Sequence, residues 1–217
     1  MFTNSLKLPI ESDRLARSDR TLSLSDMTWT DYERFDAEEY YGYLISYFQG
    51  VITIVSPGRN HENISQTFIV LINAYCRHYG LIYYPMGSTR LQNPPLAGKE
   101  PDISYAFVTN KNIPDLAIEV VFSGETPRRR KTQGNAHQES SGGVIDLEKY
   151  KLLGVKEVWF WQNNTITFFQ LIDNEYREIA VSGCLSQITQ QFLASFINRG
   201  LSESPLTIEA DFISNLP

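Results

Sequence analysis

Apolar positions recur along this chain at two spacings, which divide it into helices and strands. Ile64, Phe68, Leu71, Ile72, Tyr75 and Cys76 fall three or four apart, forming one stripe of a helix that Asn60 is expected to cap and Gly80 to stop. A shorter helix is expected over 28–35, with Thr30 as its N-cap. Residues 43–55 alternate about Gly50 and predict a β-hairpin, broken by Ser56-Pro57-Gly58. Strands are expected at 81–84 and 89–92, with 93–98 a loop because of Pro94, Pro95 and Gly98. Two strongly apolar strands follow near 102–107 and 116–122. After a helix over 146–153 that Gly154 ends, three strands at 156–161, 165–172 and 175–180 form a meander. Its turns are Asn163-Asn164 and Asp173-Asn174, and a last helix is expected near 187–198.

These elements predict one α/β (α+β) domain over 21–200, a mixed β-sheet flanked by helices, with an N-terminal β-hairpin and a C-terminal meander. Residues 1–20 read as a polar arm, 124–143 as a flexible insertion without apolar period, and 201–217 as a tail. A chain of 217 residues with 42% hydrophobic content has room for one well-buried core. No run approaches the roughly 18–20 apolar residues of a membrane span, and the opening lacks the apolar core of a signal peptide. Two cysteines with no framework spacing fit a cytoplasmic setting. The formal net charge of −6 argues against strong non-specific nucleic-acid binding and leaves room for an enzyme with a local basic groove.

Two carboxylates interrupt the strongest apolar strands. Asp102 lies in Glu100-Pro101-Asp102-Ile103-Ser104-Tyr105, and Glu119 in Leu116-Ala117-Ile118-Glu119-Val120-Val121. An ionised group in such a run must be paired or bind a metal. On adjacent strands the two would repel unless a cation lay between them, and hard oxygen donors suit Mg²⁺, with Mn²⁺ as a substitute. Satisfaction by backbone donors or an arginine is the competing structural reading.

Ser56-Pro57-Gly58 followed by His61-Glu62, then Pro101-Asp102, the segment 113–122, and 141–161 with its Gly154-Val155-Lys156-Glu157-Val158-Trp159-Phe160-Trp161, closely resemble a restriction-endonuclease-like family expanded in cyanobacteria, within the PD-(D/E)XK nuclease superfamily. The resemblance runs from about Leu22 to about Arg199. It implies a restriction-endonuclease-like core and Mg²⁺-dependent hydrolysis of DNA, with a homodimer as the assembly to test. Its metal ligands fall on Asp102 and Glu119, with the Val120 carbonyl, and its active-site histidine on His61. The superfamily lysine two residues after the glutamate is replaced by Val121, and the alternative lysine position in the following helix is Asp146. Lys149, three residues on, is the expected substitute; Lys151 and Lys131 are weaker candidates. The missing lysine and the insertion support a second reading, a catalytically degenerate nuclease fold serving as a DNA- or protein-binding module.

Bland readings stand beside these. Lys149 is equally a solvated helix lysine, His61 a helix-start histidine, Glu62 a complement to the helix dipole, and Asp115 a strand-start residue. Arg128-Arg129-Arg130-Lys131 reads as a solvated basic loop before a phosphate contact, and Trp159 and Trp161 as core.

Overall fold

The computed structural model describes residues 18–35, 40, 42–122 and 142–217, with only the backbone for 142–144. The basic run 128–131, most of the insertion, and 1–17 of the arm lie outside the described residues.

The chain opens with strand β1 (Arg20–Leu24) and the short helix α1 (Trp29–Glu33). Thr28, not Thr30, caps α1. Its hydroxyl accepts from Asp31 N at 3.2 Å while Asp31 Oδ2 accepts from Thr28 N at 2.9 Å, a reciprocal capping box. Strands β2 (Leu44–Phe48) and β3 (Val51–Ser56) form the expected hairpin. Gln49 and Gly50 both take positive φ, 47° and 79°, which matches the turn to the strand twist.

Helix α2 (Arg59–Tyr79) buries the predicted stripe. Its N-cap is Gly58, two residues ahead of the expected Asn60, and Gly80 ends it at φ 65°. Strands β4 (Tyr83–Pro85), β5 (Leu91–Asn93) and β6 (Ala97–Lys99) follow. The segment 93–98 is therefore not a loop: β5 and β6 pair, Leu91 against Lys99, across a tight turn at Pro94-Pro95. Then come β7 (Ile103–Phe107), β8 (Leu116–Val121), helix α3 (Gly142–Leu153), and β9 (Glu157–Gln162), β10 (Thr165–Ile172) and β11 (Glu175–Ile179). The meander turns use Asn163-Asn164 and Asp173-Asn174, all at positive φ, as their side chains tolerate. Helix α4 (Gln190–Ile197) runs into a 3₁₀ turn (Asn198–Leu201). The stretch read as a tail carries helix α5 (Pro205–Ser214), with Ile208 and Phe212 buried against the core. The arm ends earlier than expected, since Arg20 already belongs to β1.

Two sheets result where one was expected. One is antiparallel, in the order β1-β3-β2-β6-β5. The other is mixed, β11-β10-β9-β8-β7-β4, with the parallel pair β8–β9 joined through α3. Alternation along β8 sorts the mixed sheet's faces. Leu116, Ile118 and Val120 join Trp159 and Trp161 in a core under α2, α4 and α5. Ala117 faces the other way, with Val158 and Phe160, toward Tyr150 and Leu153 of α3 and Leu91 and Ala97 of the antiparallel sheet. Glu119, two residues after Ala117, belongs to that second face, where the two sheets meet. Among the described residues no helix is long and apolar enough to cross a membrane.

Candidate active site

Asp102 immediately precedes β7, and the β7–β8 register, Ile103 opposite Ile118, sets it across from Glu119. Both carboxylates line a cavity of about 610 Å³ between the sheets. Val120 N–H donates to Asp102 Oδ2, so the strand that carries one carboxylate also steadies the other.

The cation beside Glu119 is Lys99, from β6. Its Nζ lies 2.9 Å from Glu119 Oε2 and 3.7 Å from Asp146 Oδ2. Burial opposes its charge, but Asp146 and Glu119 outweigh that and hold the ammonium above the ordinary lysine range. Burial pushes Glu119 up to about 8 against the pull of Lys99, and Asp102 and Asp146 add to the push. Tyr150 donates its hydroxyl to Glu119 Oε1.

Lys149 stands one side chain further away. Its Nζ is 2.9 Å from Ser46 Oγ and 3.0 Å from Asp146 Oδ1, and burial lowers its pKa. For Asp146 burial is outweighed by Lys99 and then Lys149, which hold its carboxyl below the usual range. Where the resembling family is expected to carry a lysine the helix offers Asp146, and the lysine at Glu119 comes instead from β6.

His61, in the first turn of α2, lies between two carboxylates. Nε2 is 3.1 Å from Asp102 Oδ1, and Nδ1 is 3.0 Å from Asp19 Oδ2. Burial alone would lower the imidazole pKa; Asp102 and Asp19 override it and raise it to about 11. Asp19 Oδ1 also accepts from Gly58 N at 2.8 Å, which ties the N-cap residue of α2 to the segment ahead of β1.

The structure thus gathers Asp102, Glu119, Val120, His61 and Lys149 around one cavity. Sequence reasoning missed Lys99, Asp146 as a site residue, Tyr150 and Asp19. Lys99 directly follows the segment 93–98 that was read as a loop; its one signal was its place three residues before Asp102. Lys149 is buried, not a solvated lysine. Asp115 is structural: it accepts from Phe107 N at 2.9 Å and pairs with Lys111 and Lys156. Lys151 pairs with Glu148 at the surface, away from the carboxylates.

Among the described residues no group of three or more His, Cys, Asp or Glu side chains has metal-holding geometry. Two facing carboxylates still fit Mg²⁺, which commonly takes one or two of them and completes its shell with water and phosphate oxygens. Hard oxygens without thiolate suit Mg²⁺ or Mn²⁺ better than zinc.

A family model described as "Uma2: Putative restriction endonuclease" matches residues 29–202. No curated protein matches significantly. Among solved structures, the fold is similar to that of a putative nuclease from Anabaena variabilis, with a TM-score of 0.51 and 15% sequence identity. The similarity covers 79% of this chain and 99% of that one.

Proposed function

Since the chain belongs to the Uma2 family of restriction-endonuclease-like proteins, we propose that it is a divalent-metal-dependent endodeoxyribonuclease. The observation that carries this reading is the pair Asp102 and Glu119, opposed across neighbouring strands on the floor of one cleft. Asp102, Glu119 and the Val120 carbonyl would hold Mg²⁺ or Mn²⁺, which lowers the pKa of water and polarises the phosphate when bound. Lys99, already at Glu119, is placed to stabilise negative charge growing on a phosphate in the cleft. Lys149 holds Asp146 and Ser46, and so keeps α3 and β2 in position around it. His61 fixes Asp102; bonded at both nitrogens, it has no lone pair for use as a base.

One observation favours the second reading, a fold retained for binding without catalysis. Each oxygen of both carboxylates has a donor of the protein's own: His61 and Val120 N on Asp102, Tyr150 and Lys99 on Glu119. Calorimetry with Mn²⁺ and cleavage assays on linear, supercoiled and single-stranded DNA separate the two. The nuclease reading expects saturable Mn²⁺ binding and cleavage, both lost in Asp102→Asn and Glu119→Gln. Wild type that binds DNA but neither takes up Mn²⁺ nor cleaves would establish the binding module.

A further inference from the structure

We propose that Asp19 is a positioning residue that fixes the Asp102 carboxylate through His61, so that the segment leading into β1 is part of the active site. The proposal rests on the reading of Asp102 as a functional carboxylate. Asp19 lies ahead of the stretch that the family model matches, residues 29–202.

The geometry forms an unbroken line. The β1–β3 pairing sets Arg20 against Ser56, which brings Asp19 alongside the Pro57-Gly58 start of α2. There each Asp19 oxygen has its own donor, Gly58 N at 2.8 Å and His61 Nδ1 at 3.0 Å. Two contacts on two oxygens fix the plane of the carboxylate, and with it the plane of the ring. The far side of the ring then meets Asp102 Oδ1 at 3.1 Å. Side chains of all three residues are less than a tenth exposed, so water does not compete for these contacts. Asp102 Oδ2 is held by Val120 N. With both oxygens fixed, the carboxylate has one orientation toward the cleft.

Removing Asp19 leaves His61 held on one side only. The ring gains freedom about its Cβ–Cγ bond, Asp102 loses its fixed donor, and Val120 N–H is left as its one rigid partner. Partners that orient a metal-binding side chain in this way change metal affinity or activity by about 10–100-fold when removed.

The Val120 amide reports this without any metal. In ¹⁵N-labelled protein, Asp19→Ala is expected to shift the Val120 amide resonance and speed its hydrogen exchange. Ser23→Ala, an exposed change on the strand that Asp19 leads into, is expected to leave both unmoved. Mn²⁺ calorimetry on the same proteins should show about 10–100-fold weaker binding in Asp19→Ala. Asp19→Asn, which keeps an oxygen for His61 Nδ1, should recover part of the loss. If Asp19→Ala does not fold, Asp19→Asn carries the same readout with a smaller displacement. A Val120 amide unmoved by the Asp19 variants, or moved equally by Ser23→Ala, overturns the proposal whatever the metal does. A Val120 amide that moves in a protein that binds no Mn²⁺ upholds the positioning role and sinks the metal-dependent reading.

Discussion

Replacing Lys99 by methionine removes the cation that Glu119 and Asp146 share while keeping most of the side chain's volume. Lys99 is 7% exposed and Glu119 6%, so the carboxylates left behind cannot turn to water. Breaking a buried pair by removing one partner costs about 3–5 kcal/mol. For a domain of this size each kcal/mol moves the melting temperature by about 2–4 °C, so Lys99→Met should melt roughly 6–20 °C below wild type. A divalent cation between Asp102 and Glu119 would replace the lost positive charge. Wild type must bind the ion against the repulsion of Lys99, so Mn²⁺ stabilises the variant more, by about 1.4 kcal/mol for each tenfold gain in affinity. Thermal melts of both proteins in chelator and in millimolar Mn²⁺ therefore form a four-way comparison. The expected result is a large gap in chelator that narrows markedly with Mn²⁺. An unchanged melting temperature for Lys99→Met in chelator would refute the electrostatic account of this site. A gap that Mn²⁺ leaves untouched would refute the ion's proposed place.

Three further outcomes follow from packing and titration. A Cβ on Gly98 would lie 2.4 Å from the Tyr32 ring, so Gly98→Ala should cost about 1–3 kcal/mol in denaturant melts by forcing β6 and the ring apart. Phe212→Ala, which empties part of the main core at α5, should cost about 3–5 kcal/mol by the same measurement. Asp115 is raised by burial but lowered further by Lys111, Phe107 N and Lys156, so its folded pKa lies below the ordinary 3.8. Its contribution to stability is fully present above 3.8 and is lost as the pH falls through the lower folded value. Urea melts between pH 5 and 2.5 (about the range in which an aspartate titrates) should thus show a shallower decline for Asp115→Asn than for wild type.

The periodic parts of this fold were legible in the sequence. The α2 stripe, the Gln49-Gly50 hairpin and the Asn-Asn and Asp-Asn meander turns each follow from local rules, as does the burial of Glu119 in an apolar strand. Strand β6 was not legible, because Ala97-Gly98-Lys99 is too short to show alternation and follows two prolines. Its partner β2 is far away in sequence, and Ser46 opposite Lys99 is a tertiary fact. The division into two sheets escaped for the same reason. Asp19 sat in a charged stretch where nothing local marks a buried carboxylate. Helix α5, by contrast, could have been read: Ser204-Pro205 is a helix start, and Ile208 and Phe212 stand four apart.

The three residues Glu100, Pro101 and Asp102 carry the chain from the end of β6 in one sheet to the start of β7 in the other. The site is thereby divided between two bodies. Asp102 and Glu119 ride together on the mixed sheet, whereas Lys99 and Ser46 ride on the antiparallel one. Any guest that wedges the seam wider would draw Lys99 away from Glu119 and leave the carboxylate pair at its own spacing. Cleft width is thus tied to charge balance: a wider seam would leave the negative charge of the carboxylate pair uncovered.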